Sequence, residues 1–127
     1  MDREKLLKKI DTYNHELIKL RRHIHAHPEL SGLENQTAIL ISGYLKNIGW
    51  RVTESVGRTG VVAEFGPIDK GFIGLRVDMD ALPIYENTNL SFSSKIDGVM
   101  HACGHDIHTC IGPVSYTHLT LPTKRIV

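Results

Sequence analysis

Apolar residues recur at helical spacing along the first part of the chain. Between residues 4 and 22 they stand among lysines and glutamates, at Leu6, Leu7, Ile10, Tyr13, Leu17, Ile18 and Leu20. One apolar face and one charged face predict an amphipathic helix over 4–22. Pro28 cannot continue this helix, and Ser31-Gly32 predicts a turn. A second helix is predicted over 34–48, because its inner side is apolar and Gly49 stands where a left-handed C-terminal cap is expected.

The pattern changes from helices to strands after Gly49. Residues 50–53 alternate between apolar and polar, and residues 60–65 follow a Gly-Arg-Thr-Gly turn. Residues 66–71 have turn chemistry, which predicts a hairpin. Residues 72–77 are short and mostly apolar, as in a strand that is covered on both faces. Two N-terminal helices, then the strands of a mixed sheet and a loop-rich segment last, predict an α/β fold.

Composition narrows the class of protein. The chain has 127 residues, 41% of them hydrophobic and 23% charged, with a formal net charge of +1. We therefore expect one domain at most, with neither nucleic acid nor a membrane as partner. The N-terminus lacks the apolar run of a signal peptide, and no segment reaches the ~20 apolar residues of a membrane span. Only two cysteines occur, which favours a reduced compartment over a disulfide framework, so we expect a cytoplasmic protein.

A dense group of metal-binding side chains lies in residues 101–109. The segment reads His-Ala-Cys-Gly-His-Asp-Ile-His-Thr and holds one thiol, three imidazoles and one carboxylate. These groups bind zinc, and imidazole and carboxylate also suit manganese. A thiolate at Cys103 can bridge two cations, and the His105 imidazole can bind one of them. Gly104 between them lets the backbone turn tightly enough to aim both inward, so we interpret the segment as half of a metal site.

Two carboxylates follow the apolar run at residues 72–77. Asp78 and Asp80 are two apart, so on an extended chain both emerge on one face, at the rim where α/β sheets bind ligands. For a lone Asp-x-Asp, the simpler interpretation is a strand end with solvated acids. Asp80 can nevertheless reach the cluster at Cys103 and orient a metal-binding imidazole there.

The other histidines are interpreted as structural. His101 and His108 suit hydrogen-bonded loop or helix-start positions. The histidines at every second position of 23–27 follow two arginines, which fits a helix end, because cations complement the helix C-terminus. A cysteine–histidine hydrolase is the competing chemical hypothesis for Cys103, but nothing local supplies a base beside the thiol or an oxyanion hole.

Three motifs together resemble a known family. They are residues 22–30 (Arg-x-x-His-x-His-Pro-Glu-Leu), 75–83 (Leu-Arg-Val-Asp-Met-Asp-Ala-Leu-Pro) and 98–109 (Gly-Val-Met-His-Ala-Cys-Gly-His-Asp-x-His-Thr). In this order they closely resemble the N-terminal part of the M20 metallopeptidase family, in the amidohydrolase branch that includes hippurate hydrolases and N-acyl-amino-acid amidohydrolases. The resemblance implies a partial zinc-exopeptidase-like catalytic domain and two divalent ions, either manganese or zinc, with cobalt and nickel as alternatives.

The resemblance also implies roles for individual residues. Cys103 matches the bridging metal ligand, His105 a terminal metal ligand, and Asp80 the acid that supports the metal centre. The implied reaction is metal-assisted hydrolysis of an N-acyl amide, with a glutamate from a downstream Glu-Glu pair as general base. The chain contains no Glu-Glu pair, and Glu54 and Glu86 stand in the wrong context to replace it.

The function expected from this resemblance is that of an N-terminal fragment of a metal-dependent amidohydrolase, inactive as given. Its substrates would be N-acyl amino acids or similar small amides, and a homo-oligomeric parent is left open. The alternative is a non-catalytic metal-binding or interaction module that keeps half of the site.

The last segment departs from the family pattern. Two prolines after Thr109 predict that the apolar helix of the family is broken here. Residues 114–123 also resemble the translation of a sequencing adapter. We therefore expect residues 1–112 to be the N-terminal part of the catalytic domain and residues 113–127 to be a non-native tail. A short strand at residues 116–119 is the alternative.

Overall fold

A computed structural model describes residues 3–67, 69, 71 and 73–119. Within these ranges the chain forms three helices and a two-stranded sheet, in the order α1 (Arg3–Ala26), α2 (Asn35–Asn47), β1 (Arg51–Val56), β2 (Gly60–Glu64) and α3 (His105–Leu119). The predicted α/β class, with two helices before the strands, is confirmed. None of the described helices combines the length and apolarity needed to cross a membrane.

Helix α2 begins and ends close to its predicted limits. Its N-terminus is capped from outside by the carboxylate of Glu29, which accepts the backbone N–H groups of Gln36 at 3.0 Å and Thr37 at 2.8 Å. Glu34 occupies the capping position itself and makes no side-chain cap. Gly49 has a φ of +85°, which is the left-handed conformation expected after the helix.

The two strands pair as an antiparallel hairpin. Arg51 lies opposite Glu64, and the chain turns at residues 57–59, where Gly57 has a φ of +64°. The hairpin therefore closes before residues 66–71, where it was predicted, although Gly66 and Gly71 also adopt positive φ. The Gly-Arg-Thr-Gly turn closes the pair because both of its flanking segments are strand-forming, whereas no described strand follows residue 71.

The prediction of a strand at residues 72–77 is wrong, as far as the structure describes this segment. Residue 72 lies outside them, and residues 73–77 have no regular structure. Ile73 is 96% exposed and Leu75 is 52% exposed, so neither is covered on both faces. A strand exists only through pairing, and no described strand pairs with this segment. Beyond the hairpin, the described pairings are two isolated bridges, one parallel between Leu30 and Ala81 and one antiparallel between Leu82 and Met100.

The core lies where α1, α2, α3 and the hairpin meet. Its buried members come from all of these elements or their ends, and they are Ile24, Ile41, Leu45, Trp50 and Cys110. Burying large apolar side chains of this kind stabilises a fold by about 1.5–3 kcal/mol each. The core therefore fixes α3 against α1, although α3 is the last described element and α1 the first.

Helix α3 is not broken at Pro113, contrary to the prediction, and residues 116–119 are helical rather than a strand. A proline inside a helix removes one backbone hydrogen bond and costs about 3 kcal/mol. Here the neighbouring Cys110 and Val114 are both buried, so packing on either side of Pro113 offsets that cost.

Gly112 lies at the closest approach of α3 to the segment at residues 73–80. A Cβ at Gly112 would lie 2.9 Å from Cγ1 of Val77. We expect Gly112→Ala to lower the free energy of unfolding by about 1 kcal/mol, because overpacking outweighs the better helix propensity of alanine. Urea unfolding followed by circular dichroism measures this change.

Gly43 provides the matched control. It lies inside α2 with no heavy atom within 4 Å of a Cβ placed there. Gly43→Ala should therefore raise the free energy of unfolding by about 0.5–1 kcal/mol. Equal stabilisation by both variants would contradict the close packing of α3 on Val77.

Candidate metal centre

Gly104 turns the chain from the cysteine of the cluster into α3. It has a φ of +82°, and its carbonyl accepts the backbone N–H groups of Ile107 at 3.1 Å and His108 at 3.2 Å. A residue with a Cβ would pay about 1–2 kcal/mol in this left-handed conformation. The glycine therefore places Cys103 just before the helix and His105 in its first turn.

Asp80 contacts both residues that flank Gly104. Nδ1 of His105 lies 2.8 Å from Oδ1 of Asp80 and 3.1 Å from its backbone carbonyl oxygen. The thiol of Cys103 donates to the same carbonyl oxygen, with the sulfur at 3.7 Å. Because the carboxylate and carbonyl oxygens of Asp80 accept hydrogen bonds, Nδ1 of His105 is the donor, and in a neutral imidazole Nε2 then keeps its lone pair. A metal-bound histidine in a protein typically has this arrangement.

The three residues are also open to solvent. Cys103 is exposed, and the side chains of His105 and Asp80 are each 28% exposed. The structure thus brings together the three residues that the sequence predicted for the site. Their roles as metal ligands and supporting acid stay a prediction. Within the described ranges no group of three or more His, Cys, Asp or Glu side chains is arranged to hold a metal ion.

Asp78 is separated from this site by its own partners. Its carboxylate accepts a hydrogen bond from Arg76 at 2.7 Å, and its backbone N–H donates to Nδ1 of His108 at 3.2 Å. Its carbonyl oxygen accepts the hydroxyl of Thr109 at 2.8 Å. The segment before Asp80 is therefore tied to α3, and His108 has the structural role that was predicted for it.

A second cluster lies beside the first, inside the protein. Asp106 is 1% exposed, and Oδ2 accepts hydrogen bonds from Nε of Arg21 at 2.9 Å and Nδ1 of His25 at 2.8 Å. Nε2 of His25 lies 3.3 Å from Oε1 of Glu86. Burial opposes ionisation of Asp106, but the hydrogen bonds from His25 and Arg21 outweigh it and lower the pKa of the carboxyl. Asp106 is therefore a buried anion held between two side chains of α1.

The sequence did not reveal these contacts. Arg21 and His25 were predicted to complement the end of α1, and the only other signal was a carboxylate next to the candidate ligand His105. The helix-end prediction does hold for His27, whose Nδ1 donates to the carbonyl oxygen of His23 at 2.8 Å.

Glu86 is engaged within its own loop. Its carboxylate accepts the hydroxyl of Thr88 and the backbone N–H of Ser94, the latter at 2.6 Å. Burial pushes its pKa upward, but the hydrogen bonds from Thr88, Ser94 and His25 outweigh this and lower it. Glu54 forms an exposed ion pair with Lys46 at 2.6 Å. Both glutamates are thus engaged by other partners, and their exclusion as general bases stays a prediction.

His101 is buried without a hydrogen bond in the described part of the chain. It is 3% exposed, and neither ring nitrogen has a partner there. Burial lowers the pKa of this imidazole, and nearby Asp106 acts in the opposite direction. His101 was predicted to be hydrogen-bonded. Among the described residues that prediction is wrong, because no hydrogen-bonding atom lies within reach of either ring nitrogen; the centre of the His25 ring lies 6.4 Å away.

Among the described residues, the thiol of Cys103 makes no hydrogen bond to a histidine. It donates to the Asp80 carbonyl, and His105 turns Nδ1 toward the same residue. A cysteine nucleophile needs a base within hydrogen-bond reach of the thiol. The described geometry therefore disfavours a cysteine–histidine hydrolase.

Known proteins are similar to this chain in both sequence and fold. The profile of Peptidase family M20/M25/M40 matches residues 74–120. The hippurate hydrolase of Campylobacter jejuni is 53% identical over 96 residues, which cover 74% of this chain and 25% of that protein. The N-acyl-L-amino acid amidohydrolase of Geobacillus stearothermophilus is 41% identical over 112 residues, 87% of this chain and 30% of that protein.

A solved structure gives the same result. The Bacillus subtilis protein YxeP, described as a dinuclear metal-binding peptidase of the M20 family, superposes with a TM-score of 0.79 and 42% identity, over 86% of this chain and 31% of that one. The chain thus spans about a quarter to a third of the length of the relatives it matches. Its fold is part of an M20 peptidase domain, and the sequence and structural matches together show that the chain belongs to peptidase family M20.

Proposed function

We propose that the chain is the N-terminal part of a metal-dependent amidohydrolase that hydrolyses N-acyl amino acids or similar small amides at a dinuclear metal centre. The observation that carries the proposal is the pair of contacts at Asp80, which binds Nδ1 of His105 and accepts the thiol of Cys103. The relatives named hippurate hydrolase and N-acyl-L-amino acid amidohydrolase support the substrate class.

The donor set fits divalent cations. The thiolate of Cys103 and Nε2 of His105 are the donors that would hold the cations. Sulfur and nitrogen donors favour zinc, while manganese, cobalt and nickel also fit a family site completed by carboxylates. The dinuclear metal binding of YxeP supports two ions per complete site.

Each residue of the site has a separate task. Bound cations supply a Lewis acid for the amide carbonyl and an acidified water for the attack. Cys103 and His105 would hold the cations, while the Asp80 carboxylate accepts the hydrogen bond from Nδ1 of His105 and fixes the direction of the ring. We propose that the general base and the remaining ligands lie in other parts of a longer protein, which the greater length of the relatives supports, and that the chain as given is inactive.

The alternative is a non-catalytic metal-binding or interaction module that keeps half of the site. One observation favours it, namely that the described residues form no group of three or more side chains that could hold a metal ion. The length of the hydrolase relatives favours the amidohydrolase proposal. The chain covers about a quarter of two of them, so the other ligands of a complete site would come from the remaining three quarters.

Several finer points belong to the same proposal. The two free cysteines support a cytoplasmic location, and a homo-oligomeric parent stays open. The division into residues 1–112 and a non-native tail at 113–127 rests on the adapter-like sequence alone. Helix α3 continues across residue 112 and marks no boundary there.

Replacing Cys103 tests the metal site directly. In the full-length protein we expect Cys103→Ala to abolish amide hydrolysis and to remove the sulfur-to-cobalt charge-transfer band of the Co²⁺-substituted form. Cys110→Ala is the control, since Cys110 is buried in the core and should leave the band in place. Unchanged hydrolysis and an unchanged cobalt spectrum in Cys103→Ala would overturn the proposal.

The two thiols should also differ in reactivity. Burial, with Asp106 nearby, raises the pKa of the Cys110 thiol to about 12, so it stays protonated and unreactive at about pH 8. Exposed Cys103 should be alkylated by iodoacetamide, and Zn²⁺ should slow that reaction. Mass spectrometry of tryptic peptides measures both sites, and equal labelling of Cys103 with and without Zn²⁺ would contradict its role as a ligand.

The two acids of the Asp-x-Asp motif should behave differently. We expect Asp80→Asn to weaken Zn²⁺ binding by the full-length protein about 10–100-fold, because the amide no longer holds His105 as a carboxylate does. Asp78→Asn is the matched control, since Asp78 pairs with Arg76 instead. Competition with a chromophoric chelator measures both dissociation constants, and equal losses would contradict the assignment of Asp80.

A further inference from the structure

Asp106 and His105 are neighbours in the first turn of α3 but face different partners. Successive residues of a helix point about 100° apart. His105 faces Asp80, and Asp106 faces Arg21 and His25 of α1. Any rotation of α3 about its axis therefore moves both side chains together, and whatever fixes Asp106 also fixes the direction of His105.

The contacts of Asp106 are strong enough to set that rotation. Both are charge-assisted hydrogen bonds of normal length to a carboxylate that is 1% exposed, and such bonds are about twice as strong as neutral ones. An acidic side chain in the first turn also complements the positive end of the helix dipole. A buried anion cannot leave these partners without a large desolvation cost.

The contact of His105 is more open to solvent, since the side chain of Asp80 is 28% exposed and that of Asp106 only 1%. Asp80 lies in the segment at residues 73–80, which has no regular structure. That segment is itself attached to α3, through the hydrogen bond from Thr109 to the Asp78 carbonyl. Asp80 is also held on its other side, because the backbone N–H of Ala81 donates to the carbonyl oxygen of Glu29 at 2.8 Å. Its more exposed carboxylate therefore supplements the buried contacts of Asp106.

The same end of α1 also holds the loop that leads into the cluster. His25 contacts Glu86, and the carbonyl oxygen of Ala26 accepts the backbone N–H of Lys95 at 2.9 Å. The guanidinium carbon of Arg22 lies 4.9 Å from the centre of the Phe92 ring. The approach to Cys103 and the helix that carries His105 are thus fixed to one surface, the C-terminal turns of α1.

We propose that Asp106, bound by Arg21 and His25, is the positioning residue that aims His105 at the metal site. The proposal rests on the function proposed above and assigns residues outside the ligand set. Asp106 contacts neither of the candidate ligands' donor atoms, and it acts through the rotation of α3.

Metal affinity and cobalt spectroscopy of the full-length protein test the proposal. Asp106→Asn should weaken Zn²⁺ binding about tenfold and should shift the ligand-field bands of the Co²⁺ form, because the first turn of α3 is held less firmly. Glu29→Gln is the matched control, since Glu29 also accepts several hydrogen bonds but caps α2, and it should leave both measurements unchanged.

Two substitutions of His25 separate positioning from general stability. Asparagine places its amide nitrogen near the position of Nδ1 and can still donate to Asp106, whereas glutamine places it near Nε2. We expect His25→Gln to weaken Zn²⁺ binding more than His25→Asn. Arg21 is partly exposed, so Arg21→Lys supplies the same comparison if Asp106→Asn does not fold.

The outcomes distinguish the two proposals. Folded Asp106→Asn, His25→Gln or Arg21→Lys variants with unchanged Zn²⁺ affinity and an unchanged cobalt spectrum would overturn the positioning role while the metal site stands. If the unsubstituted protein binds no Zn²⁺, or binds it equally well after Cys103→Ala, the proposed metal function fails, and the positioning role fails with it.

Discussion

A buried negative charge determines how the first and last described helices meet. Asp106 is nearly inaccessible to water, and an unpaired carboxylate in such a place would be prohibitively costly. Oδ2 of Asp106 accepts hydrogen bonds from Arg21 and His25, which lie 85 and 81 residues earlier in the chain, whereas Oδ1 has no partner among the described residues. Because this pairing has a defined geometry, it specifies the rotation of α3 on α1 more narrowly than the apolar core alone, whose contacts are non-directional.

The geometry of the candidate metal centre depends on the pairing of Asp106 with Arg21 and His25. Gly104 turns the chain sharply, so that Cys103 precedes α3 and His105 begins it. The Asp80 carboxylate then selects the proton position on His105 and leaves the outer nitrogen available. The site is therefore organised in two layers, with a buried charge that orients the helix and a partly exposed acid that orients the ligand.

Local signals in the sequence were sufficient for some of these features and not for others. The end of α2 at Gly49 and the turn at Gly104 follow from glycine conformations that a short segment decides for itself. The strand expected at residues 72–77 failed because strand formation depends on neighbours, which the apolar pattern cannot supply. The pairing of His25 with Asp106 was missed because two separate motifs must fold together before their side chains can meet. Membership of the M20 family followed from motif order, which does not require the partners of each residue to be known.

The coordination shell of bound zinc tests the central claim, that Cys103 and His105 are the metal ligands this chain contributes. Zinc-edge X-ray absorption of the Zn²⁺-loaded full-length protein reports the atoms that surround the ion. The account predicts a sulfur neighbour at about 2.3 Å and imidazole nitrogen at about 2.0–2.1 Å. A shell composed of oxygen and nitrogen alone, with no sulfur neighbour, would contradict it.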